Sequence, residues 1–136
     1  MSTGARTRMA TIAVVAVVAF AVAVFVPRAQ SGGGSFDTVG VRELANAIER
    51  GTIVIDVREP FEHATGVIDG ALLIPLADVV AGTRDIPKDA EVHVVCRSGN
   101  RSVTASQALV DAGFENVVNV GGGMIAWEAA GLPIVR

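Results

Sequence analysis

The chain of 136 residues carries 14 acidic and 11 basic side chains, a formal net charge of −3, and 51% of its residues are apolar. That length allows one ordinary domain with a short extension, not two domains. Every Asp and Glu lies from Asp37 onward, while Arg6, Arg8 and Arg28 precede it, so residues 36–136 carry a charge of about −6. An acidic body without Lys or Arg patches excludes nucleic acid as a partner.

Much of the apolar share sits in Ala10 to Val26, a run of Ala, Val, Ile and Phe interrupted only by Thr11. At ~1.5 Å per residue it spans roughly 25 Å, slightly short of a bilayer core and longer than the usual core of a signal peptide. Residues 1–30 are therefore expected to be a membrane anchor, with a cleaved signal peptide as the alternative. The run has no polar face, which argues against a buried core helix. Arg6 and Arg8 before it keep the N-terminus inside and send the remainder across the membrane, so the domain is expected to be extracytoplasmic. No Cys follows the run, which excludes a lipid-modified cysteine. Residues 31–35, Ser-Gly-Gly-Gly-Ser, read as a flexible tether, and residues 36–136 as the domain.

Within the domain, Val41, Leu44, Ala45 and Ile48 recur at helical spacing and Gly51 stops the helix. Thr52 to Val57 is a continuous β-rich run, the pattern of a parallel strand buried on both faces. Arg58 to Gly70 reads as a loop with one helical turn, Ala71 to Ile74 as a short strand ended by Pro75, and Leu76 to Ala81 as a short helix. Pro87-Lys88-Asp89 turns into a strand over Glu91–Val95. The loop Arg97 to Arg101 then leads to a helix over Ser102–Ala112, a strand over Val117–Val120 and a last helix over Met124–Ala130. This alternation predicts an α/β fold, a parallel sheet with helices on both faces.

Cys96 is the single cysteine. It stands between a strand and a helix, at the head of a small, polar, cationic loop. That arrangement aims backbone N–H groups at one point and favours negative charge there. A thiol so placed ionises readily, with the helix terminus and nearby Arg stabilising thiolate. Moving a thiol pKa from ~8.5 to ~6.5 takes only about 2.7 kcal/mol.

Three segments together resemble the rhodanese (sulfurtransferase) family. They are Asp56-Val57-Arg58-Glu59-Pro60-Phe61-Glu62 with Gly66 to Ala71, Cys96-Arg97-Ser98-Gly99-Asn100-Arg101-Ser102, and Gly121 to Trp127 with Ala130-Gly131-Leu132-Pro133. The resemblance implies a rhodanese-like fold and ping-pong sulfur transfer. Cys96 would take the outer sulfur of a small anionic donor such as thiosulfate, hold it as a persulfide and pass it to a thiophilic acceptor, cyanide or a thiol. Arg97, Ser98, Gly99, Asn100, Arg101 and Ser102 would form the anion-binding loop, with Asp56, Arg58 and Glu62 as structural support. Phosphatases of the same fold carry five residues between Cys and Arg. The four between Cys96 and Arg101 suit a single sulfur atom better. The sequence departs from the family pattern at His63, where an aromatic residue is usual, and at Val67, where His is usual.

Plainer readings stand beside these. A lone buried Cys is usually inert. Arg101 is expected to contact an anion, the plainer alternative being a pair with a surface carboxylate. Asp56 and Arg58 read as a structural ion pair, His93 as a satisfied core residue, His63 as an exposed loop residue and Trp127 as core. Gly121–Gly123 reads as a tight turn, because the nucleotide-loop pattern is missing. Two isolated His and one Cys have no metal-site spacing, so no metal and no cofactor are expected. A rival to the enzyme is a membrane-tethered persulfide carrier or binding module that serves a partner protein, and a second rival is a phosphatase or arsenate reductase of the same fold.

Overall fold

The computed structural model describes residues 34–83 and 85–136. The anchor or signal expected over residues 1–30, and most of the tether, lie outside the described residues. Among the described residues, no helix is long and apolar enough to cross a membrane.

Five strands form one all-parallel sheet in the order β1-β5-β4-β2-β3. They are β1 (Asp37–Val39), β2 (Ile53–Asp56), β3 (Leu72–Leu73), β4 (Glu91–Val95) and β5 (Asn116–Val120). The helices are α1 (Val41–Glu49), α2 (Pro60–His63), α3 (Leu76–Ala81), α4 (Asn100–Asp111) and α5 (Gly123–Ala129). β4 occupies the centre because its side chains are apolar on both faces: Val92, Val94 and Val95 are fully enclosed. One core lies on the α3–α4 face, around Val79, Val94, Ala105 and Leu109. The other lies on the α1–α5 face, around Leu44, Val54, Met124 and Trp127. Burying apolar residues on both sheet faces is what fixes the parallel, doubly covered arrangement.

Beyond shifts of one or two residues at element ends, sequence and structure differ as follows. β1 has no counterpart among the expected elements. Three residues with an exposed Asp37 and Thr38 carry no periodic signal, and they become a strand only because the open edge of β5 accepts them. Helix α4 starts at Asn100, two residues earlier than the polar loop suggested, because left-handed Gly99 turns the chain straight into the helix. His63 is not an exposed loop residue. It ends α2, its side chain is 9% exposed, and Nε2 lies 3.5 Å from Asp56 Oδ1. His93 is buried on β4, with Nδ1 2.9 Å from Thr52 Oγ1, and Trp127 is core with its indole N–H donating to Pro133 O at 2.9 Å.

Gly121–Gly123 is more than a turn. At Gly123 (φ +54°) an added Cβ would overlap the Cys96 carbonyl oxygen and lie 2.6 Å from the Arg97 carbonyl carbon. The start of α5 is thereby pressed against the loop after β4. Gly123→Ala is expected to cost about 3 kcal/mol of unfolding free energy, combining left-handed strain with overpacking. Gly113→Ala, also left-handed but with nothing near the added Cβ, should cost only about 1 kcal/mol. Urea denaturation midpoints of the two variants check the difference.

Candidate active site

Cys96 directly follows the central strand, so its position is set by the most deeply buried element of the fold. The residue is 1% exposed. Such burial opposes ionisation, yet the surroundings are arranged for a negative sulfur. The Gly99 N–H donates to Sγ at 3.1 Å and Ser102 Oγ lies 3.4 Å from it. When the sulfur is ionised it has no proton to give, so the hydroxyl is the donor. Ser102 is the third residue of α4, where backbone N–H groups have no partner within the helix. Burial pushes the Cys96 thiol up, but hydrogen bonds from the Ser102 hydroxyl and from the N–H groups of Ser102, Gly99 and Ser98 outweigh it. The result lies below the ordinary thiol value.

A second helix terminus holds the loop from behind. At the start of α5, the Met124 N–H donates to Cys96 O at 2.8 Å and the Ile125 N–H to Arg97 O at 3.0 Å. These bonds turn the first two loop carbonyls away from the sulfur. The N–H groups that follow are left facing it. Gly99 is required here twice over: its φ is +99°, and an added Cβ would come within 3.1 Å of the Gly122 nitrogen.

The charged side chains brace this loop through α2. Asp56, fully buried, accepts from Arg58 Nη2 at 2.7 Å and from Nε at 3.0 Å. The same guanidinium donates to Gly66 O at 2.8 Å and to Glu62 O at 3.2 Å, so it ties the α2 turn to the end of β2. Glu62 in turn makes a two-pronged pair with Arg101, Nη1–Oε2 2.6 Å and Nη2–Oε1 2.7 Å. The hydrogen bond from Arg101 holds Glu62 down to about 2 against an opposing effect of burial, helped by the Glu59 N–H. Arg101 therefore has a carboxylate as its direct partner, which is the plainer of the two readings of that residue. Its charge reaches Cys96 only through space.

Of the loop residues singled out in the sequence, Ser98, Gly99 and Ser102 supply donors to the sulfur. Asn100 begins α4 and is exposed. Arg97 is exposed and lines a cavity of about 440 Å³ between α2 and α5, together with Phe61, Glu62, Met124, Ile125 and Glu128. The bracing role of Gly123, Met124 and Ile125 was missed by the sequence reading. Three successive glycines were the available signal. The His63 imidazole stands beside Asp56. Val67, where His is usual, exchanges backbone hydrogen bonds with Val135, both 2.9 Å. Among the described residues, no group of His, Cys, Asp and Glu is arranged to hold a metal ion.

The family profile described as "Rhodanese-like domain" matches residues 40–130, and the chain belongs to this sulfurtransferase family. It is 43% identical over 83 residues to a sulfurtransferase of Allochromatium vinosum, covering 61% of this chain and 78% of that protein. It is 38% identical over 79 residues to the thiosulfate sulfurtransferase GlpE of Pseudomonas entomophila, covering 58% of this chain and 72% of that protein. The crystal structure of a rhodanese-related protein from Thermoplasma volcanium matches with a TM-score of 0.68 at 32% identity, over 74% of this chain and 98% of the other.

The Glu62–Arg101 pair has a pH signature. Because the folded carboxyl lies at about 2 and its ordinary value is 4.5, the stabilisation is fully present above 4.5 and is lost as pH falls through about 2. Arg101 is about a third exposed, so solvent screening trims the effect to roughly 2 kcal/mol. Glu62→Gln should lower unfolding free energy by about that amount at neutral pH and flatten the acid limb. Chemical denaturation of both proteins at a series of pH values measures both effects.

Proposed function

We propose that the chain is a thiosulfate-type sulfurtransferase working through a persulfide on Cys96. The Cys96 thiolate attacks the sulfane sulfur of thiosulfate. The sulfur–sulfur bond of the donor breaks, and sulfite leaves with the bonding pair. Cyanide or a thiolate then attacks the outer sulfur of the persulfide, and the pair returns to Sγ. Thiolate and persulfide are both anions, and neither step needs a side-chain base. What carries the reading is the convergence of the Ser98, Gly99 and Ser102 N–H groups and the Ser102 hydroxyl on Sγ. Preformed donors of this kind stabilise charge without reorganising during the reaction. Thiosulfate as the donor draws further support from the exposed cation Arg97 and from the Pseudomonas relative, a thiosulfate sulfurtransferase.

The same proposal places the domain on the far side of a membrane, carried there by the apolar run from Ala10 to Val26. Sequence alone supports that placement.

The purified protein is expected to release thiocyanate from thiosulfate and cyanide. Cys96→Ser should lose the activity roughly a thousandfold or more, as removal of a nucleophile does. Intact mass after thiosulfate should show one added sulfur atom, removed by cyanide. A protein that gains sulfur from a partner but never turns over free thiosulfate would favour the carrier reading instead.

A further inference from the structure

The end of the sheet opposite Cys96 carries a second cavity, of about 300 Å³. It lies where β1 and β4 begin and α1 ends, and it is lined by Asp37, Glu43, Arg50, Glu91 and His93. With the imidazole neutral, three carboxylates and one guanidinium sum to a formal charge of −2. Arg50 makes no ion pair among the described residues, so it does not neutralise the acids at contact distance. The C-terminal end of α1, which favours positive charge, adjoins the same space.

The floor of the cavity adds an acceptor. His93 stands on β4 with its side chain only 5% exposed. A hydroxyl has one proton, and that of Thr52 goes to Glu91 O at 3.0 Å, since a carbonyl can only accept. The 2.9 Å contact between Thr52 Oγ1 and His93 Nδ1 therefore needs a proton on Nδ1. Glu91 Oε1, 3.7 Å from Nδ1, favours the same tautomer. Burial lowers the His93 pKa, Glu91 opposes that effect and Arg50 reinforces it, so the ring is neutral at neutral pH. Nε2 is then a bare lone pair. It makes no hydrogen bond among the described residues and is not sealed from solvent, so it opens onto the cavity that the ring lines.

A buried acceptor at the floor, carboxylates around it and an unbalanced negative charge call for a cation that carries N–H groups. A bare metal ion does not fit: among the described residues, no group of His, Cys, Asp and Glu is arranged to hold one. Val39 and Val118 add an apolar strip, which suits a short alkyl chain. We infer that this cavity is a second binding site, separate from the sulfur chemistry, for a small organic diammonium. One ammonium group donates to His93 Nε2, and the carboxylates of Asp37, Glu43 and Glu91 balance the two positive charges.

The test uses the full chain in non-ionic detergent, with the ring nitrogens of both histidines isotopically labelled for magnetic resonance and the diamine putrescine as titrant. Before amine is added, His93 should carry its proton on Nδ1 alone. During titration its Nε2 signal should move, while His63, at the other end of the sheet beside Asp56, stays still. Calorimetry should give one site per chain, with the monoamine butylamine bound about fivefold more weakly. Glu43→Gln and Glu91→Gln should each weaken putrescine about threefold, the scale of an exposed ion pair. Putrescine that binds without moving the His93 Nε2 signal, or that magnesium displaces at equal ionic strength, shows general attraction to an acidic surface and overturns the inference. A proton on Nε2 in the amine-free protein, or no binding at all, overturns it as well.

Discussion

Three main-chain N–H groups and one hydroxyl meet at a sulfur atom that is almost completely enclosed, and the chemistry of the site depends on that meeting. Enclosure alone would keep the thiol protonated, since removing an ion from water costs several kcal/mol. Hydrogen bonds to a charged acceptor are stronger than those to a neutral one, and here they outweigh burial. The start of α4 adds its dipole in the same direction. Among the described residues, no cationic side chain hydrogen-bonds Sγ. The loop solves the problem with backbone and hydroxyl, groups that do not change their own charge as sulfur arrives and leaves.

That convergence is held by parts of the chain distant in sequence. α5 pulls the Cys96 and Arg97 carbonyls backward, and the glycines at 121–123 let it come close enough to do so. From the opposite side, Asp56 anchors Arg58, Arg58 ties down the α2 turn, and Glu62 on that turn clamps Arg101 in the first turn of α4. Buried ion pairs are weak sources of stability when compared with apolar replacements. Their contribution here is geometric: a two-pronged pair fixes orientation as well as distance.

The elements nearest the sulfur were legible because the signal is local. A β-rich run, a cysteine, a small polar loop and an amphipathic stretch follow one another without interruption, and β4 and α3 begin and end where the pattern places them. The parallel, doubly covered sheet was legible in the alternation of elements. What escaped was non-local. Glu62 and Arg101 are 39 residues apart, so nothing in either segment reveals that each is the other's partner. β1 exists only through β5. His63 carries a polar side chain in a polar stretch, and only the path of α2 turns it inward beside Asp56. Asn100 and Arg101 read as loop because capping by a left-handed glycine leaves no side-chain signature.

The proposed chemistry depends on the charge state of one sulfur, which can be observed cleanly because Cys96 is the chain's single cysteine. Thiolate absorbance followed across pH, in the folded protein and in the same chain denatured, gives both midpoints without a second thiol to confuse them. The folded midpoint should lie below the denatured one and move back toward it in Ser102→Ala. A folded midpoint equal to or above the denatured value would mean that burial prevails over the converging donors, and the proposed sulfur chemistry would lose its physical basis.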